Sequence, residues 1–208
     1  MARKRKAPKR RPRKALPGVP TKAEAASSLA NKLLKMLDQR TEQLGLINGV
    51  LRTIIAGASL PEILRVFGSN LKTLCPFDRC SIALYDEKER MFRVPWAIID
   101  GRLTETSDAP RPYESTVLSK VIETRSPLLR KNLARDPLRF KNDAVFLQKG
   151  YGSELLFPLS VANRVFGTFN IVTFESDRLS ERQMYLVQEV IPAVSVAVWQ
   201  HVLAGRGP

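Results

Sequence analysis

Residues 153 to 174 hold two stretches, Ser153 to Ser160 and Arg164 to Phe174, whose side chains alternate with the period of a strand, and Ala162-Asn163 turns the chain between them. In the first stretch Leu155, Phe157 and Leu159 alternate with Glu154, Leu156 and Pro158. Both sets are largely apolar, so both faces of this strand pair need cover. Helices on one face and irregular inserts on the other would supply it.

The rest of the chain offers those parts. Thr21-Lys22-Ala23-Glu24 reads as a capping box, in which hydroxyl and carboxylate each satisfy an orphan N–H, and a helical pattern runs from it to about Ala58. Ala23, Ala26, Ala30, Leu33, Leu37, Arg40, Leu44, Ile47, Leu51 and Ile54 recur in steps of three and four, a heptad seam weak in its Ala-rich first half and strong in its second. Two readings stand: residues 42 to 56 are the first helix of a globular domain, buried on its sheet, or the helix extends beyond that domain to pair with a second copy. A second helix starts at Leu60, with Pro61 in its first turn and Ile63, Leu64, Phe67, Leu71 and Leu74 on one stripe. The period then shortens to that of strands over Arg79 to Asp86 and Arg90 to Ile99, with a turn at Asp100-Gly101. Residues 102 to 114, polar and Pro-bearing, read as loop. Ser115 is placed to cap a short helix through Thr124, with Leu118, Val121 and Ile122 inward. A brief strand near Leu128-Leu129, the loop Arg135-Asp136-Pro137 and a helix over 142 to 149, stopped at Gly150, come next. Ser180 to Gln183 form a second capping box, opening a final helix with Met184, Val187, Ile191, Val194 and Val198 on one face and a kink expected at Pro192.

Charge divides the chain. Arg3, Lys4, Arg5, Lys6, Lys9, Arg10, Arg11, Arg13 and Lys14 crowd the first 20 residues, which hold no acid, whereas the remainder carries 25 basic and 20 acidic residues. Such a block, with Pro8, Pro12, Pro17 and Pro20 and few apolar residues, cannot bury enough surface to offset ordering entropy, and a disordered arm over residues 1 to 20 is expected. Residues 21 to 41 are then a connecting helix and 42 to 204 one domain, a size that 208 residues and 44% hydrophobic content accommodate. Two cysteines argue against a disulfide-stapled secreted domain. No apolar h-region follows the basic start and no run has bilayer length, so a cytoplasmic protein without membrane contact is expected.

The order helix, helix, two strands, helical inserts, two strands, helix resembles the GAF sensor domain. The likeness is carried by FDRCSIALYDE, VIETRSPLLRKNLARDP and GYGSELLFPLSVANRVFGTFNIVTF, the last with Ser153 opening a strand, Pro158-Leu159 near its end and Gly167 in the next strand. It covers about 160 residues. The resemblance implies an α/β (α+β) fold: a central antiparallel sheet, N- and C-terminal helices packed on one face, and helix and loop inserts roofing a pocket on the other. It also implies a small-molecule or protein-binding signalling module acting through its terminal helices. Fold alone does not choose the ligand.

Several chemistries of that family lack their residues here. The sole histidine, His201, lies near the end of the last helix, far in sequence from the pocket segments, so a bilin-bearing Cys-His pair and a haem ligand are missing. Cys75 and Cys80 have no second ligand pair, and no metal is expected. Cysteines of the kind used in methionine sulfoxide reduction are missing from 102 to 151. The Asn-Lys pair of cyclic-nucleotide binders is broken, Asn170 being followed by Thr173-Phe174, Leu179 and Gln183. No phosphate loop or Ser/His/Asp set can be assembled. Neither a catalytic residue nor a cofactor is therefore expected. Phe92, Trp96, Tyr113, Phe146, Tyr151, Ser153, Phe157 and Asn170 are the candidates to line a ligand pocket, against the alternative that most are ordinary core.

The expected partners are a second copy of the chain, paired through Leu44, Ile47, Leu51 and Ile54 with Met184, Val187, Ile191 and Val194, and an unidentified small molecule or protein. The alternative function is a nucleic-acid-associated regulator tethered by the nine cations of the arm. Lys9 to Lys14 loosely resemble an AT-hook without its central Gly. An acidic protein or anionic lipid fits the same charge.

Overall fold

The computed structural model describes residues 21–106 and 109–205, so the arm expected over residues 1–20 lies outside the described residues. Two compact units meet in the chain between Asp38 and Gln39. Helices α1 (Lys22–Ile55) and α2 (Leu60–Leu74) lead into strands β1 (Arg79–Asp86), β2 (Met91–Ile99), β3 (Arg102–Glu105) and β4 (Arg111–Pro112). Helix α3 (Val117–Thr124), strand β5 (Leu128–Arg130) and helix α4 (Asp143–Gln148) form the inserts. Strands β6 (Ser153–Val161) and β7 (Arg164–Thr173) and helices α5 (Glu181–Gln188) and α6 (Ile191–Ala204) complete the fold. The sheet runs β3-β2-β1-β7-β6-β5, with β4 beside β2, and every pairing is antiparallel.

Local chemistry sets the element ends. The Glu24 carboxylate accepts from the Thr21 amide at 2.7 Å and the Thr21 hydroxyl accepts from the Glu24 amide at 3.2 Å, and Ser180 and Gln183 make the same reciprocal pair. Both hairpins closed by two residues hold those residues in the left-handed region. Ala162 and Asn163 lie at φ 48° and 64°, Asp100 and Gly101 at 51° and 77°. That conformation matches the right-handed twist of the strands it joins.

Three expectations are corrected. Residues 102 to 114 are not all loop: the Asp100-Gly101 turn folds Arg102–Glu105 back on β2 as an edge strand, and Arg111–Pro112 pairs with Met91 and Phe92. An edge strand exposed to solvent shows no apolar alternation, which hid it. The cap of α3 is Thr116, whose hydroxyl accepts from the Ser119 amide, while Ser115 stands at φ 60° before it. The last helical stretch is two helices bent by 52° between Gln188 and Ile191, Pro192 opening the second. Among the described residues no single helix is long and apolar enough to cross a membrane.

The main core fills one face of the sheet. Ile82, Leu155, Phe157, Leu159, Phe169 and Ile171 meet α2, α5, α6 and the later part of α1 there, with Phe67 edge-on to Phe169 at 5.3 Å. From α1 it takes Gln43, Leu46 and Val50, and the Gln43 amide donates to the Leu186 carbonyl at 2.9 Å. The heptad seam is therefore not the buried stripe: Ile47 and Ile54 pack at its margin, whereas Leu44 and Leu51 are 58% and 40% exposed. The supposed counterpart seam is spent inside, since Val187, Ile191 and Val194 are buried in this core.

Gly167 explains one mark of the sequence pattern. A Cβ there would stand 2.3 Å from the Ala83 carbonyl oxygen of β1, a backbone atom that cannot swing aside. Gly167→Ala is accordingly expected to cost about 1–3 kcal/mol in urea unfolding, the range of a forced core expansion. A loss below roughly 0.5 kcal/mol, typical of a neutral surface change, would show that β1 and β7 part easily.

Candidate functional site

Strand register assigns each side chain to a face. Trp96, Ile82, Phe169 and Phe157 form one cross-strand row, and its members pack in or against the main core on the helix face. Ala97, Ser81, Asn170, Leu156 and Leu128 form the next row, pointing to the roof. The eight candidates therefore do not line one pocket. Phe157 is core and Trp96 faces α6, edge-on to His201 at 5.4 Å. Ser153 shares the parity of Phe157, and its hydroxyl is engaged by Thr173 Oγ1 at 2.6 Å and the Glu175 carbonyl at 2.9 Å. Phe92, Tyr113, Phe146, Tyr151 and Asn170 lie on the roof side. Of these Phe92 packs with Val117, Leu118, Val121 and Leu156 under α3, and Tyr151 with Leu133, Val172 and Phe146. Tyr113 places its ring 4.5 Å from that of Tyr85 and donates its phenol to Glu123 Oε1 at 3.1 Å. Burial, and then Glu123, push that phenol above its ordinary pKa, so it stays a donor.

Between the two small apolar clusters runs a polar strip. Arg79 Nε, Thr168 Oγ1 and Asn170 Oδ1 are buried and have no hydrogen-bond partner among the described residues. Register places all three on the roof face: Asn170 opposite Ser81, Thr168 two residues along β7 opposite Ala83, and Arg79 two residues along β1 opposite Val172. Two hydrogen donors and an acceptor thus lie on one face, with Asn170 between the register positions of Arg79 and Thr168. Only Asn170 was anticipated. Arg79, beside Cys80 at a strand start, and Thr168, beside Gly167, read as ordinary strand residues because sequence does not show which buried groups lack partners.

One flank of this face is tied by Arg130, whose side chain is fully buried. Its Nε donates to Asp136 at 3.0 Å, Nη1 to Asp143 at 2.7 Å and Glu154 at 2.6 Å, and Nη2 to Asp143 at 2.8 Å and the Leu138 carbonyl at 3.1 Å. All five guanidinium N–H groups are used. Burial opposes the charge, but Asp143, Glu154 and Asp136 outweigh it and hold the Arg130 pKa above its ordinary value. In the sequence Arg130 follows a brief strand, Asp136 reads as loop, Asp143 as part of a short helix and Glu154 as part of a separate strand. Their only signal was an Arg closing the apolar run Leu128-Leu129 with acids following.

The helix face carries a different opening, a groove of about 830 Å³ between the β1–β2 hairpin and the end of α6. Trp96, Trp199, His201 and Phe166 wall it, with Glu87, Arg93 and Arg164 among its charged residues. Among the described residues no group of three or more His, Cys, Asp or Glu is placed to hold a metal ion. Cys75 and Cys80 are free and buried, and burial pushes both thiols up to about 12, far from the thiolate that reactivity needs. In the native protein at neutral pH neither thiol should react with a disulfide reagent on a timescale of minutes, and both should react once urea unfolds the chain. Rapid native reaction would reveal an opening near β1.

Solved structures of similar shape come from several settings. The GAF domain of a phosphoenolpyruvate-protein phosphotransferase from Coxiella burnetii superposes with TM-score 0.64 at 14% identity, covering 80% of this chain and 98% of that one. The phycocyanobilin-bound GAF domain of a cyanobacterial phytochrome gives 0.63 at 15%, covering 78% and 96%. Free methionine-R-sulfoxide reductase from Neisseria meningitidis, in complex with its substrate, gives 0.60 at 11%, covering 80% and 91%. At such identities the likeness shows the fold. No curated protein matches the chain. The family model of the GAF domain matches residues 57–198, and the chain belongs to that family, whose members act generally in sensing and signalling.

Proposed function

We propose that this chain is a non-catalytic sensor domain whose effector is a small polar molecule read on the roof face by Arg79, Thr168 and Asn170. One observation carries the reading: three buried polar atoms at successive positions of that face have no hydrogen-bond partner among the described residues. Leaving a buried polar group unsatisfied costs about 1–3 kcal/mol each, and native folds satisfy nearly all of them. A molecule offering an acceptor to Arg79 and Thr168 and a donor to Asn170 would supply what the protein does not. The catalytic constellations of hydrolysis and of thiol chemistry have no counterpart beside these atoms, which supports sensing over turnover.

Mass spectrometry of the purified, denatured full chain tests this. The expected result is a co-purifying small molecule that is lost in Asn170→Leu and in Arg79→Met. The ligand-free variants should melt at or above the ligand-free parent, since each removes an unsatisfied polar atom. Lower melting temperatures, with nothing bound to the parent, would make these groups structural and sink the proposal.

A second reading rests on charge segregation, nine cations and no acid within residues 1 to 20. The arm would bind nucleic acid through phosphates with little sequence choice, because base reading needs side chains held rigidly against groove edges. With ~6 phosphates neutralised, the log–log salt slope is about −5, and affinity falls about three decades between roughly 50 and 200 mM salt. Deleting residues 1 to 20 should abolish binding and leave the melting temperature unchanged. Equal affinity of the truncated chain would move the nucleic-acid surface to the globular unit.

A further inference from the structure

Strand β5 ends at Arg130 and strand β6 begins at Ser153, so the segment between them leaves the sheet and returns beside its own start. Arg130 and Glu154 are register partners across β5 and β6, and within the excursion the same guanidinium reaches Asp136, the Leu138 carbonyl and Asp143 at the start of α4. The whole segment is wound around one cation. Three carboxylates surround it, and with all of them ionised the buried cluster would carry two excess negative charges. Burying uncompensated charge is far costlier than burying a neutral acid, so one of the three is driven to hold a proton.

Geometry identifies which. Asp136 also accepts from the Leu138 amide at 2.8 Å, and Asp143 also accepts from the Phe140 amide at 3.0 Å. Asp136 and Asp143 thus each have a backbone donor besides Arg130. Glu154 is 2% exposed, and Arg130 Nη1 is the donor it meets. The neighbouring strand β7 offers it Val172, and Arg79 lies one strand further, opposite Val172. Burial first, and the nearby Asp143 and Asp136, push the Glu154 carboxyl up to about 7 against the pull of Arg130.

We propose that the Arg130 cluster is a proton-operated clasp on the roof: with Glu154 protonated it holds residues 131 to 150 against the sheet, and loss of that proton loosens them. The proposal deepens the reading of the roof face as an effector site, since the clasp would govern access to it, but the clasp itself needs no effector. A carboxyl whose pKa is higher in the closed state than in the open one favours closure below its open-state value, and that preference fades as pH rises through the closed-state value. The working window therefore runs from the ordinary carboxylate range to about 7.

Hydrogen exchange on the full chain, corrected for intrinsic rates, reads the roof directly. Protection of amides in 131 to 150 is expected to fall about tenfold from roughly pH 6 to pH 8, the ratio implied by a Glu154 carboxyl raised from its ordinary 4.5 to about 7, while β1 and β7 amides hold steady. Glu154→Gln keeps an oxygen for Arg130 and should remain protected and pH-independent. Asp136→Asn removes a neighbouring negative charge and should move the transition to lower pH, and it serves as the test if Glu154→Gln does not fold. A flat parental profile, or the same slope in Glu154→Gln, overturns the clasp. Because no ligand enters the measurement, failure to find an effector would leave this result standing, and the reverse.

Discussion

Five N–H groups of one arginine organise the side of the molecule where sensing is proposed. Without Arg130, three carboxylates would face one another in a buried space, and residues 131 to 150 would lose the centre they are wound around. The segment brings few apolar contacts of its own: the cluster of Leu133, Tyr151, Val172 and Phe146 is small beside the main core. Polar satisfaction, more than hydrophobic burial, thus decides where this roof sits. Buried ionic centres of that kind are weak as net stabilisers, yet costly to break from one side only, a combination that favours a unique arrangement over a merely stable one.

The two faces of the sheet divide the work. On the helix face, Phe67, Phe157, Phe169 and their neighbours pack as a continuous apolar layer with little polar content. On the roof face, apolar clusters are separated by Arg79, Thr168 and Asn170. The contrast follows from cover. Long helices present whole apolar stripes, whereas short inserts such as α3 and α4 present a few side chains each, so polar groups survive between them.

How much of this was legible depended on whether the information was local. The capping boxes at Thr21 and Ser180 were readable because cap and responder lie three residues apart. The β6–β7 hairpin was readable because alternation and turn are contiguous. Alternation also separated Phe157 from Leu156, but it names two faces without saying which is core, and so Phe157 and Trp96 were grouped with roof residues. Arg130 and Glu154 stand 24 positions apart, and their meeting is a property of strand order that no window of sequence contains. The seam on α1 admitted two readings for a related reason: an apolar stripe wide enough for two surfaces does not say which half the sheet will take.

The part of α1 before Gln39 has its own thermodynamics. From Lys22 to Asp38 every side chain is exposed, Leu29, Leu33, Leu34, Met36 and Leu37 among them. Seventeen helical residues with exposed side chains sit near the length at which helix formation in water only breaks even. The helicity of this stretch is therefore a dependent variable, set by whatever apolar surface the surroundings provide. In dilute solution its ends should fray far ahead of global unfolding, so that circular dichroism of the intact chain would report two melting processes from a single continuous helix.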